Sequence, residues 1–392
     1  MPEHLLSAVT LALLPRRTLV GWSRCNWARG TQSVKVLFWL AEETRSIAGG
    51  HQEQMRQTAK ALRELGHEVD TSHDATASDV RQYDVVHGFN LSPEQVRGAR
   101  QARRPVVLST IWWPLSYRSG SEQPWTPIKS LTQARRGAGR VKRRLLHMDP
   151  ATPWEAAPRL AFESSSILLP NSAMEAAAVR RDLGVTTPMM TVPNAVNTDV
   201  FYPDNAVARE DFILVVGRIE PHKNQLGTLE ALRDQPRPVM LVGPPHPHHP
   251  AYYDQCRRAL RAGDSIVEEI PHEELPRLYR RAAVHVLNTW FETTGLVSLE
   301  AAACGTPIVS TDRGFAIEYF EDGARYCDPG RPATVAEAVE HAIAQIRTDA
   351  LSERVREQFT WSRAGARTDL AYRVAVGESE WSLLTESLGG RA

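Results

Sequence analysis

"DFILVVGRIEPHKNQLGTLEAL", residues 211–232, runs from a β-branched strand through a charged loop into a helical pattern. The apolar run closes on Gly217, and Arg218 and Lys223 occupy the loop before the next helix. This strand decides the fold because it restarts an alternation already run through once upstream. From Val34, "VKVLFWL" reads as a buried strand, "AEETRSIAGG" as a loop, and "HQEQMRQTAKALRELG" as a helix closed by Gly66. "HEVDT", "DVVHGF", "PVVLST", "SILLPN" and "MMTVPN" read as further strands. The second series continues with "RPVMLVG", "DSIVEEIP", "AAVHVLNT", "PIVST" and "ARYCDP". Short β-branched runs alternating with helices predict parallel α/β sheets. Two such series predict two doubly wound domains, with ligands at the carboxyl ends of the strands. The hydrophilic stretch 197–211 holds the boundary between them.

The 392 residues suffice for two domains, each with its own core. Formal net charge is zero, so no whole-chain field favours nucleic acid or a strongly acidic partner. The four cysteines, Cys25, Cys256, Cys304 and Cys327, form no C-x-x-C, a pattern suited to a reducing, cytoplasmic setting. No apolar stretch reaches the roughly 18 residues of a membrane-spanning helix. The start carries Glu3 in place of a basic segment and lacks a convincing cleavage site. Residues 1–33 therefore read as an extension outside the fold.

"FETTGLVSLEAAACGTPIVS", residues 291–310, holds two carboxylates eight positions apart in a nearly uncharged setting. A helix is expected to begin near Gly295, capped by Thr293 or Thr294 and ended by Gly305 and Pro307. Leu296, Leu299 and Ala303 form one stripe, and Glu300 lies on it. An ionised carboxylate there must be paired or bind something. The helix N-terminus is an anion site, and Glu300 lies roughly 7–8 Å along from it at 1.5 Å per residue. That matches the separation of a nucleotide's pyrophosphate from its ribose hydroxyls, which one carboxylate can accept together. Taken alone, Glu300 is equally readable as a helix former at a helix edge. Arg218 and Lys223, at the end of a strand, are suited to a diphosphate.

"VVGRIEPHKN" followed about 70 residues later by "FETTGLVSLEAAACGTPIV" resembles the family 4 retaining glycosyltransferases of GT-B fold, whose E-x7-E motif Glu292 and Glu300 match. "IAGGHQEQMRQTAKALRELGHEV", "ILLPNSAMEAAAVRR", "TVPNAVNTDVFYP" and "QFTWSRAGARTDLAYRVA" extend the resemblance over roughly residues 34–377. It implies two Rossmann-like domains facing a central cleft: an acceptor-side domain over 34–205, a nucleotide-sugar-binding domain over 206–360, and a helix over 361–380 crossing back to the first. It implies that Arg218 and Lys223 neutralise the donor diphosphate and that Gly217 lies against the donor. Thr294, Gly295 and Leu296 would present backbone N–H groups, Glu300 would hold the ribose, and Glu292 would face the donor sugar. Gly49 and Gly50 would let the backbone approach donor or acceptor. The family's histidine from the loop after the fourth strand is missing from "LSTIWWPLSYRSG", and His87 is the substitute the sequence offers.

The expected activity is therefore transfer of a hexosyl group from a nucleoside-diphosphate sugar to an acceptor hydroxyl, with retention. The alternatives are a nucleotide-sugar epimerase on the same scaffold and a non-catalytic sugar-nucleotide-binding protein. No D-x-D occurs, so neither metal nor other cofactor is expected. The cluster His246, His248 and His249 in "GPPHPHHP" reads as a stiff loop near the donor. Residues 128–148 carry seven cations without an acid, flanked by Trp125 and Trp154. They read as a solvated face or as peripheral contact with the anionic inner face of a membrane. No nucleic-acid module accompanies them.

Overall fold

Strand β1 (Lys35–Leu40) is buried along nearly its whole length, as expected of a strand covered by helices on both faces. In the computed structural model, residues 33–40, 49–76, 78–89, 91–118, 153–345 and 349–377 are described. Residues 1–32 of the extension, the segment 128–148 and Trp125 lie outside them, as does Cys25. After β1 come α1 (Gly50–Glu64), β2 (Glu68–Ser72), β3 (Val85–Phe89), α2 (Pro93–Gln101) and β4 (Val106–Ser109). Then follow α3 (Leu115–Arg118), α4 (Pro153–Ser164), β5 (Ile167–Leu169) and α5 (Ala173–Leu183). The five strands form a parallel sheet in the order β2-β1-β3-β4-β5.

The second series begins at β6 (Ile213–Val216), followed by α6 (Gln225–Ala231), β7 (Val239–Val242), α7 (Pro250–Ala259), β8 (Ser265–Val267) and α8 (Leu275–Arg281). It continues through β9 (Val284–Leu287), α9 (Leu296–Ala303), β10 (Ile308–Thr311), α10 (Ile317–Phe320), β11 (Arg325–Cys327), α11 (Pro332–Ala344) and α12 (Ala350–Gln358). These six strands form a second parallel sheet, ordered β11-β10-β9-β6-β7-β8. The strand order reverses beside β6 and β9, and the loops leaving those two strands carry the predicted site. "MMTVPN", expected as a strand, makes only a bridge between Leu168 and Met189. Pro188 precedes it and Pro193 lies within it, and neither has the N–H donor a longer ladder would use.

The last helix among the described residues, α13 (Trp361–Val376), is capped by the Thr360 side chain and packs on the first domain. Asp369 accepts from Arg373 at 3.0 Å and lies 2.9 Å from His67 Nε2. The Tyr372 hydroxyl lies 2.6 Å from His87 Nδ1. A Cβ at Gly365 would stand 2.8 Å from that of Ala61, so the helix backbone lies directly on α1.

A second join runs between the domains. Tyr319, on α10, donates to the Asn171 carbonyl at 2.6 Å and accepts from the Asn194 amide at 3.0 Å. Glu318 beside it accepts from the Ala173 and Met174 amides, capping α5 from the other domain. Two otherwise orphaned helix N–H groups are thereby satisfied by a carboxylate, the charge a helix start favours.

Candidate functional site

The loop after β6 is shaped by one side chain. Gln225 donates to the Arg218 carbonyl at 2.8 Å and accepts from the Glu220 amide at 3.3 Å, clipping residues 218–220 into a fixed arc. Arg218 Nη2 then meets Glu220 Oε1 at 3.2 Å, and His246 Nε2 lies 3.7 Å from the other oxygen of that carboxylate. The histidine loop thus backs Arg218 through Glu220. Among the described residues no group of three or more His, Cys, Asp or Glu side chains is placed to hold a metal ion.

Lys223 and Glu292 meet at 3.0 Å, joining the loops after β6 and β9 across 69 residues. The Glu292 backbone is pinned on both sides: its amide donates to the Arg313 carbonyl at 3.1 Å, and its carbonyl accepts from the Phe315 amide at 2.8 Å. Burial pushes the Glu292 carboxyl upward, but the Lys223 charge and the hydrogen bonds from Lys223 and the Thr294 amide outweigh it and hold the group below its ordinary value. Glu292 is therefore a carboxylate at neutral pH, kept ionised by Lys223.

Gly295 opens α9 at φ +78, and a Cβ there would fall 2.9 Å from Leu287 Cδ2, so both conformation and space call for glycine. The expected threonine cap is not made: no side chain caps α9. Thr294 is instead buried in the interdomain join, accepting from Asn194 Nδ2 at 3.0 Å and donating to the Tyr319 hydroxyl at 3.3 Å. Among the described residues no side chain accepts from the start of α9, and Leu296, its first residue, meets the first domain at Gly50, where a Cβ would stand 3.2 Å from Leu296 Cδ1. Further along the helix, Glu300 accepts from the Tyr279 hydroxyl at 3.0 Å and lies 3.2 Å from His272 Nε2. Its side chain is 12% exposed, enough to reach a ligand. The hydrogen bond to Glu300 raises the pKa of His272, with burial opposing.

Gly217 follows β6 at φ +145, and Gly49 and Gly50 lead into α1. His51, the next residue, was not singled out from the sequence. A Cβ at Gly49 would stand 3.3 Å from its Nδ1, its Nε2 is buried with no hydrogen-bond partner among the described residues, and burial followed by the Arg218 charge lowers its pKa.

His87 is a correction. It is fully buried in β3 between the Tyr372 hydroxyl and Ser109 Oγ, 2.6 and 2.8 Å away, and stacks on Phe89. Burial lowers its pKa to about 3, so it is a neutral core histidine out of reach of any sugar. His87→Leu is expected to strand two buried hydroxyls, costing roughly 2–4 kcal/mol and lowering the melting temperature by roughly 5–10 °C. Turnover per folded molecule should not change; loss of turnover at an unchanged melting temperature would return His87 to the site.

Sequence reasoning also missed an aromatic group at the domain junction. Trp113 stacks on His222 at 4.6 Å, and the Tyr117 hydroxyl lies 3.1 Å from His222 Nδ1. Nothing local in "IWWPLSY" or "EPHKN" announces a contact spanning 105 residues. A separate pocket lined by Thr306, Pro307, Asp322, Gly323, Leu351 and Ser352 shares no residue with the site.

Two parallel-sheet domains joined by a returning C-terminal helix define the GT-B fold. Residues 201–358 match the family described as glycosyl transferases group 1. A probable sucrose-phosphate synthase of Thermosipho melanesiensis is 29% identical over 193 residues, covering 45% of each chain. This chain spans about half the length of the curated relatives it matches. Among solved structures, sucrose-phosphate synthase from Thermosynechococcus elongatus aligns with a TM-score of 0.69 at 18% identity, over 88% of this chain and 100% of that one. Anabaena HepE in complex with UDP-glucose aligns at 0.60 and 18%, over 91% and 99%.

Proposed function

We propose that this protein is a family 4 glycosyltransferase, transferring a hexosyl group from a nucleoside-diphosphate sugar to an acceptor hydroxyl with retention and without a metal ion. The observation that carries this reading is the Lys223–Glu292 pair beside Arg218 and the start of α9, with Glu300 farther along the same helix. Departure of a nucleoside diphosphate develops negative charge on its terminal phosphate. Arg218, Lys223 and the N–H groups opening α9 are preorganised to meet that charge, so no strong general acid is required. Glu300, oriented by Tyr279 and His272, holds the ribose hydroxyls. Glu292 faces the sugar, and Gly49 and Gly50 admit donor or acceptor closely from the first domain. Retention and metal independence rest on the resemblance to the family and on the missing D-x-D.

A thermal-shift series with UDP, GDP and ADP tests the donor site. One of them is expected to stabilise the fold, by about 2.7 kcal/mol when present at a hundred times its dissociation constant. Glu300→Ala should erase that shift, whereas Glu292→Ala should keep it and lose turnover. UDP is the first choice because HepE was solved with UDP-glucose. Turnover of the matching nucleotide sugar should survive EDTA, and the product anomer, read by NMR, should match the donor. Absence of any nucleotide-induced shift would refute the donor site. Loss in EDTA restored by magnesium would overturn metal independence.

A further inference from the structure

The loop leaving β4 is tied down inside the first domain by two carboxylates. Glu175 Oε1 accepts from Thr110 Oγ1 at 2.8 Å and the Trp112 amide at 2.7 Å, while its Oε2 accepts from the Asn171 amide at 2.7 Å. Asp182 Oδ2 accepts from Trp112 Nε1 and the Leu115 amide, each at 2.9 Å. The backbone of this loop is therefore fixed before it reaches the second domain.

From that base two rings project across the junction. Trp113 lies over His222 with ring planes 24° apart, and Tyr117 sits 5.0 Å from Phe291 while its hydroxyl meets His222. His222 immediately precedes Lys223, and Phe291 immediately precedes Glu292. Phe315, whose amide holds the Glu292 carbonyl, packs edge-on against Phe291 at 5.3 Å. The His222 carbonyl accepts from the Trp290 amide at 3.1 Å, so the two loops are also stitched to each other. Each member of the Lys223–Glu292 pair is thus gripped, one residue upstream, by the first domain.

We propose that Trp113 and Tyr117 are positioning residues: docked on His222 and Phe291, they set the geometry of Lys223 and Glu292 and make turnover conditional on contact between the domains. The proposal rests on the sugar-transfer reading for its catalytic consequence, but the clasp itself does not. An error of about 1 Å in placing a reacting group costs about a hundredfold in rate, and a side chain one residue from a clamped ring inherits the ring's position. His222 enclosed in the clasp has its pKa lowered to about 4, first by burial and then by Lys223.

Two measurements on the full chain test this. Histidine-selective NMR follows the His222 ring with pH and needs no substrate. In the unaltered chain the ring should stay neutral down to about pH 5; in Trp113→Ala its midpoint should move back toward 6.5. An unmoved midpoint would refute the clasp. With the nucleotide sugar that the unaltered chain turns over, Trp113→Ala and Tyr117→Phe should lower kcat about 10- to 100-fold, with donor KM changed less than about threefold. Trp113→Phe, which keeps a ring for stacking, should recover most of the rate. Tyr117→Phe removes a single oxygen and guards against a misfolded alanine variant. A loss carried by KM, or no loss, overturns the positioning role. If no nucleotide sugar is turned over, the transfer reading fails while the His222 titration still decides the clasp.

Discussion

Replacing Gly314 with alanine is expected to remove most turnover from a chain that still folds. Gly314 lies at φ +119 in the loop between β10 and α10, paired in a β-bridge with Glu292. A Cβ there would stand 2.8 Å from the Glu292 amide nitrogen and carbonyl carbon, and closer still to the carbonyl oxygen. Those atoms are backbone and cannot rotate away, so the segment carrying Glu292 must move. A shift of about 1 Å at such a residue costs about a hundredfold in kcat, and the forced backbone conformation adds about 1–3 kcal/mol of destabilisation. Gly184→Ala is the control. Gly184 also has positive φ, at +64, but apart from its own chain neighbours no described residue places an atom within 4 Å of the added Cβ. That variant should lose about 1 kcal/mol of stability and no activity. Equal kinetics for the two variants would show that the Glu292 bridge is not what the reaction needs.

Lys223→Met is expected to cost both rate and stability, the latter in a pH-dependent way. With Lys223 present, the Glu292 pKa lies below its ordinary 4.5, so the pair stabilises the fold above that pH, and the contribution is lost as the pH falls through the lowered value. Without Lys223, burial pushes the carboxyl the other way, and the ionised form becomes a liability that grows as the pH rises. The two chains should therefore differ most near neutrality, by about 2–3 kcal/mol for a pair whose lysine remains partly exposed, and converge toward pH 4. Urea melts at four pH values between 4 and 7.5 would read this directly. A difference independent of pH would mean that Lys223 stabilises by packing alone. On the proposed sugar-transfer reading the rate should also fall about 10²- to 10³-fold, the usual effect of removing one preorganised charge that meets a leaving group.

Legibility from sequence followed the distance over which each feature is encoded. The spacing of Glu292 and Glu300 is contained in one loop and one helix, so periodicity exposes it. The two sheets were legible for the same reason, since each strand announces itself within a few residues. The partners that orient Glu300 come from 21 and 28 residues upstream, and the grip on His222 comes from 105 residues away. Only packing brings these together. "TDRGF" around Gly314 reads as an ordinary turn, because the constraint on that glycine is the Glu292 backbone and not its own neighbours. Thr294 had the right residue type for a cap, yet a buried tyrosine hydroxyl offered a better partner. His87 sat in a suggestive position in "DVVHGF", but whether a strand residue points to solvent or core is settled by what covers the sheet.

The return of α13 to the first domain has a consequence for how the molecule is made. Asp369 meets His67 across 302 residues, and Gly365 lies on Ala61. At about 5–20 residues per second, a ribosome delivers that stretch in roughly 15–60 s. Throughout that interval the face of α1 at Ala61 lacks the cover of α13, and every strand of the second sheet, Ile213 to Cys327, is made within it. The usual order of maturation during translation is inverted: the domain begun first is completed last, and the second can close on its own while the first waits for a helix still being translated.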